Sequence, residues 1–394
     1  MISSMHIEEI QAALREEHLD GWLFFDHHQR DPLAYRILKI NPKSVATRRW
    51  YYFIPAHGEP KGLVHAIEPG ILAGLPGDVR KYASWTEHLD GIHRLLAGCR
   101  KIAMQYSPNC SIPYVSLVDA GTMDLVRSSG VDVATSANLV QLFEARWTAQ
   151  QLEMHLDAGR RVDRVRANAF QQIASSLASR RTITEWDVNR FIRAGFEESG
   201  LVTDHGPIVA VNANMSNPHY EPGPERSREI HHGDAVLIDM WAKLDQPSAV
   251  FYDITWTGYC GANPPAALQN VFQVVREARD RAIERVRAAI SNGAIIHGFE
   301  VDDAARGYIK DQGFGEYFIH RTGHSIGEEV HGTGANMDNL ETHDERRIVA
   351  GTCFSIEPGV YLPEFGIRSE VNVYAGATEA RVTGEVQQKL VTFQ

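Results

Sequence analysis

A chain of 394 residues with 43% hydrophobic content is long and apolar enough for two packed domains. Its formal charge of -11 argues against a nucleic-acid partner, which demands clustered Lys and Arg, and no apolar run approaches a membrane span. Four cysteines (Cys99, Cys110, Cys260, Cys353) lie far apart without a CxxC pair, so neither a disulfide framework nor a zinc-thiolate site is expected. With no apolar signal segment at the N-terminus, the expected setting is reducing and cytoplasmic.

In chain order, residues 5–18 carry Ile7, Ile10 and Leu14 at helical spacing. Gly21–Phe25, Trp50–Ile54, Gly62–His65 and Lys101–Tyr106 read as short buried strands, with Val131–Ala134 as a late one. Helices are expected over Thr86–Leu96, closed by Gly98, and over Leu117–Val126. Strands alternating with helices indicate an α/β domain over residues 1–147. A polar cluster after its first strand, His27, His28, Arg30 and Asp31, reads as a solvated loop. A second domain over 148–394 opens at Thr148-Ala-Gln-Gln151, which has the form of a capping box. A long helix runs from there through Leu177, a second begins at Thr184 and stops before Gly200, and others are expected near 266–290 and 301–312. Strand-like segments separate these helices, so this half is α+β.

The second half also carries the chemistry. The apolar run Ala235–Ile238 stops at Asp239, and Val250–Tyr252 stops at Asp253. A carboxylate at the end of a buried run is costly unless it is paired or bound to a cation. The intervening Lys243–Ser248 is rich in turn formers, so the two strands should form an antiparallel hairpin with the aspartates side by side. Between His320 and His331, three histidines share twelve residues with Gly323 and Gly327. Thr352–Ile356 is a strand ending in Glu357 before a Pro-Gly turn, and Gly366–Tyr374 is the strand that follows. Period-two alternation puts Arg368, Glu370 and Asn372 on one of its faces. Asp239, Asp253, His324, Glu357 and Glu370 thus offer four carboxylates and one imidazole, a set suited to manganese, iron, cobalt or zinc.

These five residues, in this order and these strand contexts, resemble the pita-bread metallohydrolases, among them aminopeptidase P, prolidase, methionine aminopeptidase and the metal-free creatinase. The segments His320–His331, Ser355–Tyr361 and Gly366–Val373 carry the resemblance most specifically. It implies a creatinase-like α/β N-terminal domain followed by an α+β pita-bread catalytic domain. It also implies two divalent ions, manganese first and cobalt, zinc or iron(II) as alternatives, held by Asp239, Asp253, His324, Glu357 and Glu370. Glu357 would also shuttle the proton. His219 and His331 would contact the substrate, with His320 and Arg368 as further catalytic positions. The implied reaction is hydrolysis of an amide bond, foremost the Xaa-Pro bond of a dipeptide or short peptide, in a homodimer. The alternative is a metal enzyme of the same fold acting on a non-peptide substrate, a small-amide hydrolase or lyase.

Several positions depart from the family pattern. The two aspartates are 14 positions apart, wider than usual in the family. Met240-Trp241 follows the first aspartate where a small residue is usual, Trp256 stands where an arginine is common, and Gly332 follows His331 where an acidic residue is frequent. The expectation is that Trp241 and Trp256 lie near the metals and narrow the substrate pocket.

Overall fold

The computed structural model describes residues 4–393, so the outermost ends of the two expected domains fall outside the described residues. The chain divides into two compact units, Met1–Glu144 and Ala145–Gln394.

The first unit contains helix α1 (Ser4–Glu16), strand β1 (Gly21–Asp26), helix α2 (Pro32–Leu38), and strands β2 (Trp50–Pro55), β3 (Lys61–His65) and β4 (Asp78–Tyr82). Helix α3 (Trp85–Leu95), strand β5 (Lys101–Met104), helix α4 (Ala120–Arg127), strand β6 (Asp132–Thr135) and the single turn α5 (Ala137–Val140) follow. One mixed sheet runs β4-β3-β2-β1-β5-β6, with the parallel pairs at its two ends and between β1 and β5. Its central strands are buried on both faces, which is why they read as continuous apolar runs. Trp22 and Phe24 of β1 join Trp50 and Tyr52 of β2 in one core, while Leu23 and Phe25 join Tyr51 and Phe53 in the other. Helix α2 and strand β4 lie outside the expected set. The polar cluster expected to be a solvated loop is only partly that, because Asp31 is buried and caps α2 by accepting from the Ala34 N–H. Helix α4 begins later than expected, at Ala120, because Asp119 caps it through the Thr122 N–H.

The second unit opens with α6 (Ala149–Ala178), whose start is fixed by reciprocal hydrogen bonds between Thr148 and Gln151. Helix α7 (Glu185–Glu198) and strands β7 (Leu201–Val202), β8 (Ile208–Val211), β9 (Ala235–Leu244) and β10 (Tyr252–Tyr259) come next. Helices α8 (Ala266–Ser291) and α9 (Gly298–Asp311) precede strands β11 (Ser325–Ile326), β12 (Thr352–Ile356), β13 (Gly359–Tyr361), β14 (Gly366–Arg368), β15 (Val371–Ala375), β16 (Ala380–Thr383) and β17 (Val391–Thr392). One sheet is ordered β17-β10-β9-β7, with β8 also on β9; another is β11-β12-β15-β16; β13 and β14 form a ribbon. Helices α6 and α7 pack against β8, β9 and β10, and α8 against β12, β14 and β16. Helix α9 starts three residues before the expected 301, where His297 and Glu300 cap it reciprocally. The strand expected over Gly366–Tyr374 breaks in two, with Ser369 and Glu370 outside either part. Among the described residues no helix is long and apolar enough to cross a membrane.

Candidate metal centre

The pocket forms where β10 meets β15. In the β9–β10 hairpin, Asp239 pairs with Thr255 and Asp253 with Trp241, so the two aspartates are diagonal neighbours on one face rather than directly opposite. The alternate residues Ile238, Met240 and Ile254 point the other way into the core under α6 and α7. Asn372 of β15 accepts the Asp253 N–H at 3.1 Å and donates to the Asp253 carbonyl, which fixes that aspartate between the two sheets. The break after β14 turns Glu370 inward. Its N–H donates to the Thr255 carbonyl at 3.1 Å, and its Oε2 accepts the Thr255 hydroxyl at 2.7 Å.

His324 enters from the loop before β11. Gly323 lets that loop run against β12, since a Cβ there would lie 1.9 Å from the Ser355 carbonyl oxygen. The His324 Nδ1–H donates to the Ser325 carbonyl at 3.1 Å, because a carbonyl can only accept. That tautomer aims Nε2 at the carboxylates, 3.5 Å from Asp253 Oδ2 and 3.4 Å from Glu357 Oε1. Ligand atoms of Asp253, His324 and Glu370 all lie within 4.8 Å of one another. Asp239 stands to one side, held by Arg368, whose Nε also reaches Thr255 Oγ1 at 3.0 Å and lies 3.9 Å from Glu357 Oε2.

The donor set fits a cation. Four carboxylates face one buried guanidinium, and Asp253 Oδ1 is buried without a hydrogen-bond partner. Burial, and next the repulsion of Asp239, pushes the Asp253 carboxyl well above its ordinary range. Burial and then Asp253 do the same to Glu370, and burial raises Glu357. A lone pair on His324 Nε2 facing two carboxylates adds to the mismatch, and a bound cation relieves it.

The other expected residues take different places. The His331 ring meets that of His324 edge to face at 4.4 Å, and repulsion from that ring, together with burial, brings its pKa down to about 3. His219 sits exposed on the segment after β8, near enough for its charge to act on His331. His320 does not face the carboxylates directly. Its Nδ1–H donates to the Arg321 carbonyl at 2.7 Å, so Nε2 accepts the Tyr361 hydroxyl at 2.7 Å, and Arg368 Nη1 donates to that hydroxyl at 3.1 Å. Arg368, Tyr361 and His320 therefore form one hydrogen-bonded chain.

One sequence expectation is corrected here. Trp256 alternates with Asp253 and Thr255, so its indole faces away from the pocket, against the α6 core, with the Arg166 guanidinium 3.5 Å from its ring centre. Trp241 shares the face of Asp239 and donates its indole N–H to Asp204 at 2.7 Å, so of the two indoles it alone can bound the pocket. Gly332 has a steric reason: a Cβ would lie 2.9 Å from Ser325 Oγ, which leaves no room for an acidic side chain.

Sequence reasoning also missed several supports. Tyr361 lies inside a quoted segment but gave no chemical signal of its own. Glu185 is buried and accepts from the Val211 N–H, the Tyr220 hydroxyl and the Arg228 N–H, shaping the segment that bears His219. Asp302 and Arg306 form a bidentate pair on α9 at 2.6 and 2.8 Å. Their spacing of four on one helix was the available signal.

The profile of metallopeptidase family M24 matches residues 153–377, more than half of the chain. The chain belongs to this family. The M24 match covers every residue of the pocket, from Asp239 to Glu370. An Xaa-Pro dipeptidase of Lactobacillus helveticus is 29% identical over 240 residues, 61% of this chain and 59% of that protein, so the match spans less than two thirds of the relative's own length. Two solved structures resemble the chain throughout. Dipeptidase PepE from Mycobacterium ulcerans superposes with a TM-score of 0.71 at 22% identity, covering 99% of this chain and 97% of the other. A prolidase from Thermococcus sibiricus gives 0.65 at 22%, covering 100% and 99%. With the M24 assignment they establish the fold as an α/β N-terminal unit followed by a pita-bread unit.

Proposed function

We propose that this M24 chain hydrolyses an amide bond, foremost the Xaa-Pro bond of a dipeptide or short peptide. The observation that carries the reading is the buried convergence of Asp253, His324 and Glu370 beside Glu357 and Asp239, within a family of metallopeptidases. These five side chains would hold two divalent ions. When bound, such ions polarise a carbonyl and acidify water.

The protein's own groups supply the rest. Glu357 lies next to His324 and accepts the Ser355 hydroxyl at 3.1 Å through Oε1, which leaves Oε2 to take a proton and return it to the leaving nitrogen. His331 and His219 stand at the open side and would donate to the developing oxyanion. Arg368 holds Asp239 in place, and through Tyr361 it orients His320. Trp241, tethered to Asp204, would form one wall for the substrate side chain.

Manganese is the first choice of ion, with cobalt, zinc and iron(II) behind it. Four free cysteines support a reducing, cytoplasmic setting. A homodimer is the expected assembly by analogy with the fold alone. The test is a panel of Xaa-Pro and matched Xaa-Ala dipeptides, assayed with manganese, cobalt and zinc in turn. Cleavage of the proline series that disappears on chelation and returns on reloading is expected. Undiminished cleavage by stripped protein, or no cleavage of any peptide with any ion, overturns the reading.

A further inference from the structure

The first unit contains a cavity of about 890 Å³ lined entirely by its own residues. That is ample for a small organic ligand. Its polar wall is cationic. Arg30, Arg48 and Arg49 line it together with His27 and His28, in a protein whose net charge is -11. Asp119 is the single carboxylate among the lining residues; it caps α4 through the Thr122 N–H and hydroxyl and feels the charge of Arg30, while Glu68, outside the lining, feels that of Arg48. Among the described residues no ion pair reaches the guanidinium of Arg30, Arg48 or Arg49. Arg48 Nη1 finds only the neighbouring Thr47, by its hydroxyl at 3.0 Å and its carbonyl at 3.4 Å. Burial and then the charges of His28, Arg30 and Arg49 hold the His27 imidazole below its ordinary pKa, against the opposing charge of Asp26.

The loop that presents these groups is built rather than incidental. His28 and Gln29 both adopt left-handed backbone, with φ of 62 and 58°. Two successive non-glycine residues in that region persist only where the surroundings over-determine them. Here the buried Asp26 does so, accepting the N–H groups of Gln29, Arg30 and Asp31 at 2.9, 2.7 and 3.1 Å, with the Tyr35 hydroxyl at 2.9 Å. The loop therefore arrives with His27, His28 and Arg30 already set at the cavity. Trp85, 72% exposed, also lines the cavity and offers it a flat apolar surface.

We propose that this cavity is a binding site for a small organic anion, bearing either a phosphoryl group or a pair of carboxylates, with its oxyanions on Arg30, Arg48 and Arg49 and its apolar part on Trp85. Forked guanidinium donors suit both kinds of oxyanion. The site shares no residue with the pocket around His324, since every residue lining it belongs to the first unit.

The test is calorimetric titration of the metal-loaded full chain with inorganic phosphate, adenosine monophosphate and malonate. One binding event per chain is expected with at least one probe, weakening as salt is raised. The Arg49→Ala and Arg30→Ala variants should bind about tenfold less tightly, while metal content and peptide hydrolysis stay as in the parent. Binding of the two phosphorylated probes but not malonate assigns a phosphoryl ligand, and the reverse assigns a dicarboxylate. Adenosine monophosphate should gain over inorganic phosphate, and Trp85→Ala should erase that gain. No binding of any probe at millimolar concentration overturns the proposal. So does binding that the arginine substitutions leave unchanged, because it would then reside elsewhere on the protein.

Discussion

The molecule holds two concentrations of like charge and treats them in opposite ways. In the second unit, three buried carboxylates and the half-buried Glu357 are set against one guanidinium, and one carboxylate oxygen has no partner. In the first unit, three arginines crowd a cavity but stay exposed. Solvent screens the second arrangement and cannot screen the first. The acidic pocket is therefore unstable to charge without a cation, whereas the basic cavity tolerates emptiness and gains only when an anion arrives. The two pockets should respond differently to mutation, to chelation and to pH.

The largest effects belong to the acidic pocket. His324→Ala should abolish metal retention and peptide hydrolysis together, read by metal analysis and initial rates. Glu357→Gln should keep the metal better than His324→Ala but lose about 10²–10⁴ in rate, the usual share of a positioned proton carrier. Hydrolysis by the Gln variant at parental rate would remove Glu357 from the chemistry.

Chelation sharpens the contrast through pH. In the stripped protein, the folded state raises the Asp253 and Glu370 pKa values above their unfolded ones. A raised carboxylate gives its contribution below the ordinary carboxylate range and loses it as pH rises through the folded value. The melting temperature of stripped protein should therefore fall away from that of the loaded protein as pH is raised from mildly acidic to alkaline. A gap that stays constant across that range would mean the carboxylates are already neutralised by some other means.

A smaller effect is expected at the hydrogen-bonded chain beside the pocket. Tyr361→Phe removes the hydroxyl shared by Arg368 and His320. The variant should keep its metal and lose about tenfold in rate, in keeping with one hydrogen bond to a charged group. An unchanged rate would show that His320 needs no such orientation.

The features most legible in the sequence were those with a simple period. Asp239 and Asp253 close apolar runs, and alternation along β9 and β10 keeps them on one face. Helices α6, α7 and α8 announce themselves by caps and 3.6-residue stripes. What escaped depends on partners far along the chain. The break at Ser369–Glu370 looks like continued strand locally, and its hydrogen bonds come from Thr255, Pro358 and Arg279, all distant in sequence. The orientation of Trp256 follows from the same period that places Asp253, since the two lie on opposite faces of β10 despite their nearness in sequence. Helix α2 was hidden because Asp31 serves it as a buried cap, a role that a polar cluster does not display.

The clamp on α9 sets how the histidine-bearing loop can move. Arg306 holds the Phe318 and His320 carbonyls at 3.0 and 2.7 Å, and Asp302 holds the Thr322 N–H at 2.9 Å and its hydroxyl at 2.7 Å. Alternate residues leading up to His324 are thus tied to one face of a helix. Breathing of this loop then requires the helix to lift with it, as a single cooperative opening. In hydrogen–deuterium exchange, the Thr322 amide should keep pace with the interior amides of α9, while the amides of the neighbouring exposed turn at Gly313–Glu316 exchange far sooner.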